Sequence, residues 1–375
     1  MKRRLLPLLV LVAVACVAAL AVAVLHFAPS FRTVRNMPPD DGVDTNTVCR
    51  ARLVFAGDLM QHTTQIRAAR TPDGTYDYAE SFQYVKDIFH DADVAVLNFE
   101  TTLTPREPYT GYPCFRSPVQ IADALRDVGI DIAALANNHI CDNGFAGISF
   151  TIDYLDSCGI ASTGVFVDSA QHRERHPLRF EANGIRFALL NYTYGTNGMP
   201  VPSRAIVNLT DTATVAADLM QIDRRETDCV IVFFHWGDEY ARRPNGGQRT
   251  LDSLCRRLGA DVVIGSHSHT IQPFEEHFDA DSAVRAVTVY SLGNLVSNQR
   301  WRYSDGGLIV TLDVEKETGG DRLSGIRLEA LPVWVLLPGY RILPEQVADT
   351  ISMSEQQRAM YSQFRTDAHR LLMGE

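Results

Sequence analysis

The sequence predicts an α/β protein, and three observations carry that prediction. Short apolar runs rich in β-branched residues recur along the chain: "ARLVFAGD", "DVAVLNFE", "DIAALANN", "IRFALLNY", "CVIVFFHWG" and "DVVIGSHSH". Between most of them lie segments of helical period, "SPVQIADALRDVG", "GISFTIDYLDSCG", "ATVAADLMQIDRRE" and "GQRTLDSLCRRLG". Such alternation marks strands joined by helical crossovers. Several of the runs are apolar without interruption, as strands buried on both faces are.

The chain has 375 residues, 46% of them hydrophobic and 21% charged, which is a globular composition. Its beginning is different. Leu5 to Leu25 is a run of 21 uncharged residues behind Lys2, Arg3 and Arg4. About 20 apolar residues cross a bilayer as a helix, and the basic flank favours the cytoplasmic side. A cleaved signal peptide is the alternative, but its apolar core is shorter, about 7–15 residues. The expectation is a single-pass membrane anchor within residues 1–29, with the N-terminus cytoplasmic and the rest extracytoplasmic. Residues 30–49, with Pro38-Pro39 and Asp41-Gly42, read as a linker. The main domain is expected over 50–340, followed by a polar, helix-prone and peripheral tail over 341–375.

Two segments of the domain depart from the alternation. Asn183-Gly184, between "LRFEA" and "IRFALL", is a hairpin-turn signal. From Ala286 on, "AVTVYSLGN", "GGLIVTLDVE" and "LSGIRLEALPVWV" follow one another without helices, which predicts antiparallel strands. The whole reads as a pair of packed sheets flanked by helices.

Charge narrows the partners. The formal net charge is −10, and residues 1–36 hold five basic groups and no acid, leaving 30 basic against 45 acidic groups. So acidic a domain is not built to bind nucleic acid through its general field. An anionic substrate would need a local positive centre such as a metal. Six cysteines lie beyond the apolar span, Cys49, Cys114, Cys141, Cys158, Cys229 and Cys255, without a CxxC pair. A thiolate zinc site is therefore not expected, and pairing among the six stays open.

The strand ends carry the chemistry. "VFAGD" ends in Asp58, with His62 four residues later; "VAVLNFE" ends in Asn98 and Glu100; "IAALANNH" ends in Asn138 and His139. "VIVFFHWGDEY" ends in His235, with Asp238 and Glu239 beyond it, and "VVIGSHSH" ends in His267 and His269. One polar residue at a strand end is ordinary. Five ends of this kind are not, because the carboxyl ends of strands in open α/β sheets line the ligand crevice. Imidazole, carboxylate and amide oxygen are ligands of Zn, Mn, Fe or Ni. So many ligands exceed one tetrahedral site and suit two divalent transition-metal ions sharing a carboxylate. His139 is then left to act as an acid, with Asp142 to steady it. A serine nucleophile is disfavoured, since Ser266 and Ser268 lie between histidines and not in a G-x-S-x-G elbow. There is no P-loop.

These residues resemble a known family. "FAGDLM", "NFETTLT", "FRSPVQIADALRDVGIDIAALANNHICDNG", "YTYGTNG", "FFHWGDEY", "GADVVIGSHSHTIQPFE" and "YSLGNLVSNQ" are similar, in order, to the CapA family of bacterial capsule and poly-γ-glutamate synthesis proteins. That family lies within the calcineurin-like metallophosphatase superfamily. The resemblance implies a four-layer α/β/β/α sandwich with a dinuclear site. It assigns Asp58, His62 and His269 to one metal, Asn138, His235 and His267 to the other, and Glu100 as the bridge. His139 matches the catalytic histidine. Two features depart from the superfamily: Asp58 and His62 are four apart where two is usual, and Glu100 stands where Asp is common. Arg116, Tyr194, Asn197 and Glu239 are candidates to contact substrate, as are Arg242 or Arg243, and Trp236 is expected to shield the site.

The first functional expectation is a membrane-anchored hydrolase, phosphoesterase-like or amide-acting, for an anionic cell-envelope or capsule polymer, with polymer-synthetase subunits as partners. The second is a non-catalytic assembly factor of a polymer-synthesis complex. The third is a phosphoesterase acting on an unrelated small substrate.

Overall fold

The computed structural model describes residues 48–374, positions 281 and 321 excepted, together with a two-residue strand at Arg32–Thr33. The apolar span at 5–25 and most of the linker lie outside the described residues. Among the described residues no helix is long and apolar enough to cross a membrane.

β1 (Val48–Leu59) is buried without a break through its C-terminal half, so both its faces must be covered. It pairs in parallel with β2 (Val94–Phe99), β2 with β3 (Ile132–Ala134), and β3 with β4 (Ala161–Thr163). On the other side of β1 the pairing is antiparallel, with β12 (Gly306–Glu317), then β13 (Gly325–Leu336) and β14 (Arg341–Pro344). β11 (Asn294–Val296) pairs with the end of β1.

The second sheet runs β5 (Leu178–Ala182), β6 (Ile185–Thr193), β7 (Cys229–His235), β8 (Val262–Ser266), β10 (Val284–Val289), β9 (Phe274–Phe278). β5 and β6 form the expected hairpin. Ala182 faces Ile185 across Asn183 and Gly184, whose φ values of 49° and 79° are those a type I′ turn requires.

Successive residues of a strand face opposite ways, and this separates three apolar layers. Phe55, Val96 and Ile132 meet Phe187, Ile231 and Ile264 between the sheets. Val54, Leu97 and Ala133 pack under α1 (Gln120–Val128) and α2 (Gly144–Ser157). Leu190, Val232 and Val263 pack under α3 (Thr212–Met220) and α4 (Gly246–Arg257). Helices therefore cover the outer face of each sheet.

Two expectations are corrected. β10 does not join the antiparallel run that follows it. It lies parallel to β8 in the second sheet, where Val287 and Val289 complete the inter-sheet core. Only β12 and β13 pair as the sequence suggested. The C-terminal segment is not peripheral either: β14 is a sheet strand, and α5 (Glu355–Leu372) buries Tyr361, Phe364, Ala368 and Leu371 in the main core. Those four residues recur at helical spacing, forming a stripe narrow enough for the polar remainder to hide it. The six cysteines are all free thiols.

Candidate metal centre

The register of the sheets brings the strand ends together. Asp58 lies opposite Asn98, and Asn98 opposite Ala134, at one end of the first sheet. His235 lies between Thr193 and Ser266 at the same end of its own sheet. Two glycines permit the close backbone approach this needs. A Cβ on Gly57 would sit 1.9 Å from the Gly293 carbonyl oxygen, and one on Gly265 would sit 2.0 Å from that of Tyr290. "GD" and "GSHSH" are thus glycines of close packing that set the next side chains in place.

Asp58, Glu100 and His269 form a buried group whose ligand atoms all lie within 4.8 Å of one another. His269 Nδ1 is 3.0 Å from Asp58 Oδ2, and its Nε2 is 3.9 Å from Glu100 Oε1. A second convergence adjoins it. His235 Nε2 lies 3.1 Å from Asn138 Oδ1, 3.1 Å from His267 Nδ1 and 3.7 Å from Glu100 Oε1. Glu100 is therefore common to both groups.

The donor set fits a cation. Asp58 and Glu100 are fully buried, and among the described residues no Lys or Arg is paired with either. Glu100 Oε1 has no hydrogen-bond partner, nor has the buried Asn98 Oδ1. Burial holds Glu100 well above its usual value, and the charges of Asp58, Glu239 and Asp142 add to the shift. The imidazoles do not supply the missing charge. Burial pushes His267 down to about 3 and His235 well below its ordinary value, so both are neutral. Imidazole nitrogens, an amide oxygen and a carboxyl oxygen without a partner, facing one another, are a donor set that suits a cation.

His139 stands beside this cluster. Its Nδ1 is 2.9 Å from Asp142 Oδ2, and the same oxygen accepts the Phe115 N–H at 2.7 Å. The Phe115 ring meets the imidazole edge-on at 4.6 Å. Asp142 thereby fixes the ring, and its Nε2 faces the Asn197 Nδ2 amide at 3.5 Å. Tyr194 leans over His267 at 4.4 Å between ring centres, and its hydroxyl lies between Asn138 Nδ2 and Asn197 Oδ1. Glu239 is exposed near the mouth.

Other candidates lie elsewhere. His62 caps the short helix Thr63–Ala69 and sits beside the cluster; its Nδ1 accepts the Asn298 N–H at 3.3 Å and faces Gln65. Burial lowers it to about 4. Arg116 donates to Thr104 Oγ1. Arg242 donates to the Asp367 carbonyl and stacks over Tyr303. Trp236 does not shield the site: it follows His235 on the strand, points to the opposite face, and stacks on Phe234 beneath the helices.

Three residues have orienting roles that the sequence did not assign them. Asn98 Nδ2 donates to Asp58 Oδ1 (2.7 Å) and Glu100 Oε2 (3.2 Å), holding the two carboxylates at a fixed separation. Asn294 Oδ1 lies 3.1 Å from His269 Nδ1, and Ser266 Oγ 3.0 Å from His235 Nδ1. Such partners orient ligating imidazoles. Asn98 stood in plain view, two residues before Glu100 and so on the same strand face.

Fold and site together define a two-sheet α/β protein with a metal-ligand cluster at the carboxyl ends of its strands. The chain belongs to the bacterial capsule synthesis protein family PGA_cap, whose model matches residues 52–299. It is 25% identical over 287 residues to the PGA biosynthesis protein CapA of Bacillus subtilis (strain 168), covering 74% of this chain and 70% of that one. It is 27% identical over 272 residues to the capsule biosynthesis protein CapA of Bacillus anthracis, covering 68% and 62%. Among solved structures it is similar to a phosphatase from Mycoplasma pneumoniae (TM-score 0.43, 11% identity, 76% and 95% covered). It is also similar to a 5'-nucleotidase from Candida albicans (TM-score 0.43, 13% identity, 91% and 60% covered).

Proposed function

We propose that this protein is a membrane-tethered, extracytoplasmic metallohydrolase that processes an anionic, poly-γ-glutamate-type capsule polymer. Two divalent transition-metal ions would be held by Asp58, Glu100 and His269, and by Glu100, Asn138, His235 and His267, with His62 close to the first. The observation that carries this reading is Glu100 Oε1, buried without a partner between His235 and His269. Bound ions of this kind supply a Lewis acid and a nucleophilic water at neutral pH.

The protein's own groups do the rest. His139 delivers a proton from Nε2 to the departing nitrogen or oxygen while the water oxygen bonds to the carbonyl carbon or phosphorus. One of the water's two protons restores the imidazole, and the other leaves with the acid product. Asp142 holds the ring throughout, and Tyr194 and Asn197 border the space above it. A purely structural metal site has no use for an oriented acid beside the ligands, which favours catalysis over a scaffold role.

Elemental analysis of the reconstituted chain should approach two ions, and Glu100→Ala should lose most of both, since each ion relies on it. Full occupancy in that variant excludes the bridge. The metal-loaded protein should hydrolyse γ-glutamyl amides or phosphoesters; inactivity on both classes rejects the hydrolase. The tether rests on the uncharged run Leu5–Leu25 behind three basic residues. Protease added to intact protoplasts should release the domain, and protection of the domain contradicts this topology.

A further inference from the structure

Rings line the mouth of the metal centre in a continuous row. Tyr194 lies 4.4 Å from His267, His267 6.1 Å from His269, His269 6.0 Å from Tyr240, and Tyr240 5.3 Å from Trp301. The histidines are buried, whereas Tyr194, Tyr240 and Trp301 are 45%, 39% and 53% exposed. Apolar rings left in water on both sides of a reactive centre need an occupant.

The row is held rigidly. Tyr240 has φ 63°, His267 90° and His269 56°, a left-handed conformation costly for such side chains. The Tyr240 N–H is tied to the Ser268 carbonyl at 2.7 Å. Two of the arginines flanking the row in sequence are engaged, Arg242 with the Asp367 carbonyl and Arg302 with the Asp367 carboxylate. The exposed rings of Tyr194, Tyr240 and Trp301 offer apolar surface on which uncharged planar groups such as amides can pack. A γ-linked glutamyl chain sets its amide planes roughly 6 Å apart at standard bond lengths, against about 3.5 Å for an ordinary peptide. The exposed Tyr240 and Trp301 rings are 5.3 Å apart, close to that repeat, with their planes nearly perpendicular.

We propose that this row is a substrate cleft crossing the metal centre, in which Tyr194 on one side and the Tyr240–Trp301 pair on the other stack the amide planes of a γ-linked polyamide. The chain is engaged on both sides of the bond at the centre, so internal bonds are presented rather than ends only. The proposal rests on the polymer reading above.

Trp301 reports on the cleft directly. The other two tryptophans, Trp236 and Trp334, are 3% and 1% exposed, so acrylamide quenching of the full-length, metal-loaded chain senses Trp301. Long γ-linked glutamate oligomers should bind about tenfold more tightly than a γ-linked dipeptide and should protect Trp301 from the quencher. Trp301→Ala should abolish that length-dependent gain and raise KM for oligomers with little change in kcat; Trp301→Phe should keep most of it. Binding without protection, or an unchanged length dependence in Trp301→Ala, overturns the cleft while leaving the polymer reading intact. Failure of every γ-linked oligomer to bind overturns both.

Discussion

His139 and Asn138 are adjacent yet have separate fates: the amide oxygen of Asn138 faces His235, while His139 is bound to Asp142. A positioned general acid contributes about 10²–10⁴-fold in rate. His139→Ala should lose roughly that much on substrates with poor leaving groups, much less on a nitrophenyl substrate, and should keep its metal. Asp142→Asn should show a milder loss. If His139→Ala sheds metal or slows both substrates alike, the residue is a ligand instead. Most of this cluster was legible, because Asp58, Glu100, Asn138, His235, His267 and His269 all end apolar runs and differ in type from ordinary loop residues. The orienting roles of Asn98, Asn294 and Ser266 were not. Asparagine and serine are common at strand ends, and their roles appear only when a partner far along the chain meets them.

Elements were legible where local chemistry decided them and illegible where partner choice did. The Asn183-Gly184 hairpin follows from turn geometry alone. β10 carries no local mark of which sheet it enters, and α5 hides a buried stripe in a polar sequence. The far end of the strands, away from the metal centre, has its own fixed point. Asp228 is buried, and it accepts from Arg186 of the second sheet and from Lys316 of the first, at 2.8 and 2.7 Å. Burial alone would raise its carboxyl; the hydrogen bonds from Arg186 and Lys316 outweigh this and hold it at about 2. A native value below the unfolded one means stability that is fully present above pH ~4 and lost as pH falls toward ~2. Asp228→Asn should cost roughly 3 kcal/mol at neutral pH, since it strands the buried end of Lys316. Urea unfolding should show the gap between the two proteins closing across that acid window. A gap independent of pH would mean that packing, not charge, ties the sheets there.

At the scale of the whole molecule, the proposed ligand set is divided between two sheets. Asp58, Glu100 and Asn138 come from the first, His235, His267 and His269 from the second. The site therefore exists only when both sheets are assembled and their inner faces packed. The general plan of two sheets under helices was readable from alternation and from uninterrupted apolar runs. The interleaving was not, because the chain leaves the first sheet after β4, builds the second, and then returns to close the first.

That return has a kinetic consequence. Ala56 of β1 pairs with Ile309, about 250 residues later. Until β12 arrives, a long apolar strand carries a bare hydrogen-bonding edge, which invites pairing with other chains, and contacts so distant in sequence form slowly. The family match stops at residue 299, with every proposed ligand already present. A chain ended there should nonetheless aggregate and show no cooperative melt, whereas one carried through residue 374 should fold. A soluble, cooperatively melting 48–299 fragment would show that β1 does not need its late partner. Folding of this protein is thus completed only once β12 is available, and the interval before it is when the chain is most exposed to self-association.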